Sequence, residues 1–387
     1  CWSNNKQAVA EVIQRAIPNQ HWQSQCHTQI MDPMNRNHRQ NSSQLSRRQA
    51  LQISVGSALG LTLPDLLRVQ AEEDGGDGGA APKAKAKSVI HLYLGGGFAV
   101  QESWDPKPEA PSDYRGSFNV VKTNQGDLFC ENFPKMAGVA DKLTVVRSMH
   151  CKIPDHGQAA YHLFTGYIPT TVIDFPQMGA VVSQHFGPRK NLPPYVAIPN
   201  KESSTGGTGY LSSKYGAFEL NADPGGRGKF QVKDFSLPAG VSQKRFERRQ
   251  RARGIIENKL AKEQVDVNQL TTMDEFYERA YTLLNSTEAQ SAFSLDDEPQ
   301  KIRDLYGHDY ILSYRNQPAA IGARLMMARR LVDAGVRFVT VNYGGWDNHV
   351  NIRDAFLDKS AALDHAIAGL LTDLDQRGML DDTLVIV

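Results

Sequence analysis

The order of elements over residues 319–387 constrains the fold more than any other feature of the chain. Ala319 to Asp333 has helical spacing, Gly335 stops it, and Val336-Arg-Phe-Val-Thr-Val341 reads as a strand. A polar loop from Asn342 to His349 leads into a long amphipathic helix that carries Leu363, Ile367, Leu370, Leu371 and Leu374 on one face. Asp381 and Asp382 then precede a last strand, Thr383 to Val387. Strand, helix, strand in that order demands a right-handed crossover and parallel pairing. The expected fold class is therefore α/β, a mostly parallel sheet flanked by helices, with ligands at the carboxyl ends of the strands. The final strand has no loop after it, so the chain is expected to be incomplete at its C-terminus.

Upstream segments extend the same pattern. Ser88 to Leu94 is a near-continuous apolar run ending in Gly95-Gly96-Gly97, as expected of a strand buried on both faces. Phe133 to Ala140 predicts a short helix, Leu143 to Arg147 a second strand, Met178 to Phe186 a helix, and Pro194 to Pro199 another strand. Asp155 and Gly166 bracket a helix as N-cap and stop. Residues 203–300 read as an insertion. It starts as a polar, glycine-rich excursion to Gly240 and continues as charged, helix-permissive sequence. Within it, Lys244 to Arg253 is basic, but Glu247 interrupts the run and aromatic residues for base stacking are scarce, so a solvated helix face is expected.

The first 87 residues do not fit this architecture. Arg47-Arg48, the mildly apolar stretch from Ile53 to Leu63 and small residues around Val69-Gln70-Ala71 have the order of a twin-arginine export signal, here 34–71. The apolar stretch falls short of the about 20 residues that a membrane-spanning helix needs, so no transmembrane anchor is expected after cleavage. Residues 1–33 are expected to be an over-called start, and 72–87 a flexible linker without large apolar side chains. That leaves 88–387 as the folded domain of a periplasmic or otherwise extracytoplasmic protein. In an oxidising compartment Cys130 and Cys151 can pair or stay free. With 43 Lys+Arg against 42 Asp+Glu, the formal charge of +1 provides no field to gather nucleic acid.

Three loops occupy the position where α/β sites form. The first holds Gly95 to Gly97, whose composition implies a tight turn or close backbone approach, followed by Glu102, Trp104 and Asp105. The second carries His150, Asp155 and His156, with His162 further along the helix. Imidazoles at a helix N-terminus suit a divalent metal or an anion, while Asp155 alone is explained as an N-cap. The third is Gly344-Gly345-Trp346-Asp347-Asn348-His349, in which Asp347 and His349 can present oxygen and nitrogen to one ion. His365 lies within the long helix and reads as structural.

Several of these segments together resemble a known family. They are the twin-arginine signal, Trp104-Asp105-Pro106-Lys107-Pro108, Arg147-Ser-Met-His150, His162-Leu-Phe-Thr-Gly-Tyr167, Ala328 to Val339, and Gly345-Trp-Asp-Asn-His349. They are similar to the exported sulfatase-like proteins of domain of unknown function 1501, over about residues 46–387. That resemblance implies the alkaline phosphatase and sulfatase superfamily, whose members hydrolyse phosphate or sulfate esters with metal ions beside a nucleophile at a helix N-terminus. Counting back from Leu163 to Pro169 places His156 at the nucleophile's position. By the same resemblance Asp347 and His349 are metal ligands, with Glu102 or Asp105 substituting for carboxylates where Gly95 and Gly96 end the first strand. His150 and His162 are assigned to anion binding.

The implied function is metal-dependent hydrolysis of sulfate or phosphate esters, with zinc, calcium or magnesium as cofactor. The substrate would be a sulfated or phosphorylated small molecule or polysaccharide. A chain ending at Val387 lacks the acidic or histidine motif expected next, so it is expected to be inactive. The alternative is a non-catalytic carbohydrate- or polymer-binding protein of the cell envelope on the same scaffold.

Overall fold

Five runs rich in β-branched and aromatic residues build the central sheet. The structure is a computed structural model that describes residues 85–202, 205–228, 230–232, scattered positions between 244 and 255, 286–312 and 317–387. The expected leader, most of the linker and most of the helical insertion lie outside the described residues.

In chain order the strands of the sheet are β1 (Ser88–Tyr93), β4 (Tyr195–Ile198), β5 (Phe218–Glu219), β8 (Phe338–Asn342) and β9 (Thr383–Ile386). Between them lie the hairpins β2 (Val120–Lys122) with β3 (Leu128–Cys130), and β6 (Ile311–Leu312) with β7 (Gln317–Pro318). The helices are α1 (Pro134–Gly138), α2 (His156–Thr165), α3 (Met178–Phe186), α4 (Thr287–Ala292), α5 (Gln300–Leu305), α6 (Ile321–Ala334) and α7 (Ile352–Gln376). The sheet order is β5-β4-β8-β1-β9 and every adjacent pair is parallel. The α/β class expected from residues 319–387 is the class observed.

Alternation along β1 divides the two faces. Ile90 and Leu92 join Val339 and Val341 of β8 in the core beneath α6 and α7. His91 points the other way, with its ring 4.9 Å from that of Phe164 on α2 and 6.3 Å from that of Phe338. On that side Gly179 of α3 lies so close to the Tyr195 ring that a Cβ there would sit 2.5 Å from it. Helices α2 and α3 thus cover one face while α6 and α7 cover the other.

This topology creates a switch point. The chain leaving β1 passes β8 to reach β4, and the chain leaving β8 passes β1 to reach β9. The outgoing loops of two neighbouring strands therefore diverge to opposite faces at their carboxyl ends, the position where parallel α/β sheets hold ligands.

A dry ionic cluster ties the helices together behind the sheet. Arg329 of α6, 2% exposed, lies 2.9 Å from Glu298 and 2.7 Å from Asp373 of α7. The guanidinium meets these oxygens as ion pairs without aligned hydrogen bonds, and the Tyr306 hydroxyl donates to Asp373 at 2.9 Å. Burial works to raise the Glu298 carboxyl, but Arg329 and Arg330 outweigh it and hold the group below its usual range.

One reading needs correction, and one open alternative is decided. Leu143 to Arg147 forms no strand: it runs without ladder pairing among the described residues, and Val145 and Val146 are exposed. β-Branched residues favour a strand only where a partner edge receives them, and none does here. Cys130 and Cys151 are both free, with Cys130 buried and Cys151 exposed. No described helix is long and apolar enough to cross a membrane.

Candidate functional site

At the switch point the loops after β1 and β8 touch backbone to backbone. Tyr343 N–H donates to the Tyr93 carbonyl at 2.9 Å, which prolongs the ladder by one bond, and Trp346 N–H donates to the Gly95 carbonyl at 3.1 Å. Gly96 has a left-handed φ of 115°, and a Cβ on it would sit 2.5 Å from the backbone nitrogen of Asp347. Only glycine combines that conformation with that approach. The close backbone approach expected of Gly95 to Gly97 is made at Gly96, against the residue at the centre of the site.

Helix α2 delivers the second component. Asp155 caps it by accepting the Gln158 N–H at 2.9 Å, and Gly166 ends it in the left-handed region with its N–H on the His162 carbonyl. The first helical residue, His156, thereby faces the β8 loop. Its Nε2 is 3.2 Å from one oxygen of Asp347, and His349 Nε2 is 2.9 Å from the other. Three residues from two separate segments thus form one array, two imidazoles sharing a carboxylate at a helix N-terminus. The array faces solvent, with side chains 63% exposed at His156, 43% at Asp347 and 81% at His349.

The remaining expected site residues do not join it. Both oxygens of Glu102 accept the Ser117 N–H, at 2.9 and 3.0 Å. Asp105 pairs with Lys107 and lies 3.9 Å from Arg147. His150 is exposed, with its Nδ1 3.2 Å from the Ser148 carbonyl oxygen. His162 sits two turns along α2, and its Nδ1 lacks a hydrogen-bond partner. His365 lies on α7 against Gly307, and burial is the main cause of its lowered imidazole pKa.

A residue that the sequence reading passed over completes the loop. Lys359, on α7, donates its ammonium to the carbonyls of Gly344 at 2.8 Å and Gly345 at 2.7 Å. The same nitrogen stands 4.3 Å from the centroid of the Trp346 ring and 5.1 Å from that of Tyr343. Its position in α7 lies outside any polar motif. A lysine two turns into a helix that follows a glycine-rich loop is the available clue.

The family described as "Protein of unknown function (DUF1501)" matches residues 86–387. The chain belongs to that family. No curated protein and no solved structure matches it. In this DUF1501 chain, residues 86–387 also form one compact unit, so the family match and the folded body coincide.

The donor set can be tested against the divalent ion that the sulfatase resemblance implies. Two imidazoles and a carboxylate are suitable ligand types, and a catalytic zinc takes three protein ligands with one position open. Here the two Nε2 atoms are directed at different oxygens of the same carboxylate, Glu102 is committed to a backbone N–H, and Asp105 to Lys107. Among the described residues no three His, Cys, Asp or Glu side chains are arranged to hold a metal. The array as it stands does not fit a divalent ion, and its chemistry is best read as that of a carboxylate-oriented histidine pair.

Proposed function

We propose that this DUF1501 protein is an exported, sulfatase- or phosphatase-like protein whose carboxyl-end loops act on a sulfate or phosphate ester. The observation that carries the reading is the Asp347 carboxylate shared by His156 and His349 at the start of α2. The carboxylate accepts from each Nε2–H, which fixes the tautomer and leaves the Nδ1 lone pair of a neutral ring outward. His156 then attacks the phosphorus or sulfur as the bond to the ester oxygen breaks, with water hydrolysing the imidazole adduct afterwards, or it takes the proton of a water that attacks directly. Protonated His349 supplies a proton to the departing oxygen. The positive end of α2 favours the anionic group undergoing attack. Export is proposed from the order of features in residues 34–71, and the substrate is an ester small enough or mobile enough to meet an open site.

The test is turnover of 4-nitrophenyl sulfate and 4-nitrophenyl phosphate by the complete product of the reading frame. His156→Gln and Asp347→Asn should each lower the rate by about 10²–10⁴-fold. Rates unchanged in both variants would refute the assignment.

The exposure of the three side chains also favours a second reading, in which the array binds a sulfated or phosphorylated polysaccharide without cleaving it. Retention of such a polymer that is lost in a His156→Ala, His349→Ala double variant, with no release of sulfate or phosphate, would decide for this reading.

A further inference from the structure

We infer that Lys359 is a positioning residue of the Asp347 site, holding the β8 loop in the conformation that presents the carboxylate to both histidines. The inference rests on the proposed role of Asp347 and adds a residue from a different element. Two successive carbonyls, Gly344 and Gly345, converge on one ammonium at 2.8 and 2.7 Å, and Gly345 adopts φ 81°. A Cβ on Gly345 would lie 3.2 Å from that nitrogen. Two charge-assisted hydrogen bonds and the indole face at 4.3 Å thus act on the three residues immediately before Asp347.

The other restraints on this loop pull from different directions. Trp346 is 1% exposed, its indole N–H donates to the Tyr343 carbonyl at 2.8 Å, and its ring packs on Phe98 and Phe356. Its backbone N–H is held by Gly95. These contacts anchor residue 346 to the core and to the β1 loop. The Gly344 and Gly345 carbonyls are anchored to α7 by Lys359. A loop with two glycines has little conformational preference of its own, so removal of the ammonium frees the segment whose geometry aims Asp347. Methionine keeps the unbranched apolar stem and removes the charge and the donors. Arginine restores both and can lie flat on an indole.

The experiment compares Lys359→Met, Lys359→Arg and the unaltered chain by amide hydrogen exchange resolved to peptides spanning 343–351, alongside thermal melting. The expected result is exchange about tenfold faster in that segment for the methionine variant, little change elsewhere, and recovery in the arginine variant. Unchanged exchange in 343–351, or acceleration spread evenly over α7 and the sheet, would overturn the inference. In the complete product of the reading frame, Lys359→Met should lower ester turnover alone but not further lower that of Asp347→Asn, because the lysine acts through the aspartate. Additive losses would also overturn it. Absence of turnover in every protein, with the exchange result as expected, would count against the proposed chemistry while leaving the positioning role in place.

Discussion

Two of the clusters that join carboxylates to cationic or potentially cationic side chains among the described residues differ in their access to water. Behind the sheet, the side chains of Arg329, Glu298 and Asp373 are 2%, 4% and 2% exposed. At the carboxyl ends of β1 and β8, those of His156, Asp347 and His349 are 63%, 43% and 81% exposed. Ion pairs of similar length therefore have different consequences. In the dry cluster each charge has lost its hydration and depends on its partner, so the cluster holds α6 and α7 to the segment around Glu298. In the wet array either partner can be replaced by water at little cost. The first arrangement serves stability, whereas the second leaves its groups able to change partners, as the proposed chemistry on a bound ester requires.

The largest expected effect breaks the comparison on its dry side. Arg329→Met removes the guanidinium from between Glu298 and Asp373. Glu298 keeps Arg330, and Asp373 keeps Arg377 at 2.7 Å, yet both carboxylates stay buried with one cation fewer. We expect a loss of about 4 kcal/mol, measured as the shift in urea midpoint at constant slope. A loss below about 1 kcal/mol would place the dry cluster in the same class as a surface ion pair.

Next in size is a pH effect from a buried group that forms no ion pair. His91 lies in the middle of β1, 2% exposed, its Nδ1 has no hydrogen-bond partner, and burial pushes its imidazole down to about 4. The unfolded chain takes up this proton near pH 6.5 while the folded chain resists until about 4. Stability from His91 is thus fully present above pH 6.5 and is lost as pH falls towards 4, by up to about 3 kcal/mol. Asp364 has the opposite slope. Burial raises its carboxyl to about 6 despite its two bonds from the Lys135 and Met136 amides, so folding takes up a proton there and stability rises as pH falls from 6 to 4. In His91→Phe the share of the acid-side loss that His91 carries should vanish, leaving the opposing slope of Asp364 beside the contributions of Glu298 and His365, whose lowered pKa values give them the sign of His91. If unfolding free energies at pH 4.5 and 7 differ by the same amount in variant and parent, His91 carries none of the acid sensitivity.

Periodicity and caps revealed much of this architecture, and their failures are as physical as their successes. The helix Met178–Phe186, the cap at Asp155, the stop at Gly166 and the strand–helix–strand order after residue 319 are local or pattern-borne, so residue types announce them. The strand expected at Leu143 to Arg147 failed because pairing is a property of neighbours, and the sequence does not record whether an edge is free. The site shows the same division. Asp347, His349 and His156 could be named from loops at strand and helix ends. Their convergence depends on the crossing of the β1 and β8 connections, and the Lys359 clamp on a side chain returning from α7 to its own preceding loop. The Arg329 cluster was invisible because each of its charges sits in a segment of ordinary charge pattern.

The smallest expected effect tests the wet side, and it is informative because it is small. Asp347→Asn keeps the shape, keeps an oxygen acceptor and removes the charge that both imidazoles face at 3.2 and 2.9 Å. Exposed pairs of this kind contribute little to folding, so the change in unfolding free energy should stay within about 0.5 kcal/mol. The loop is held by contacts that the variant leaves intact, namely Trp346 on Gly95 and Lys359 on Gly344 and Gly345. If chemical denaturation instead shows a loss of more than about 2 kcal/mol, Asp347 is a structural tie between the β8 loop and α2, comparable to Arg329 behind the sheet. A near-zero stability change together with a large loss of the proposed ester turnover would separate the two clusters by function, because one carboxylate would then matter to the reaction and hardly at all to the fold.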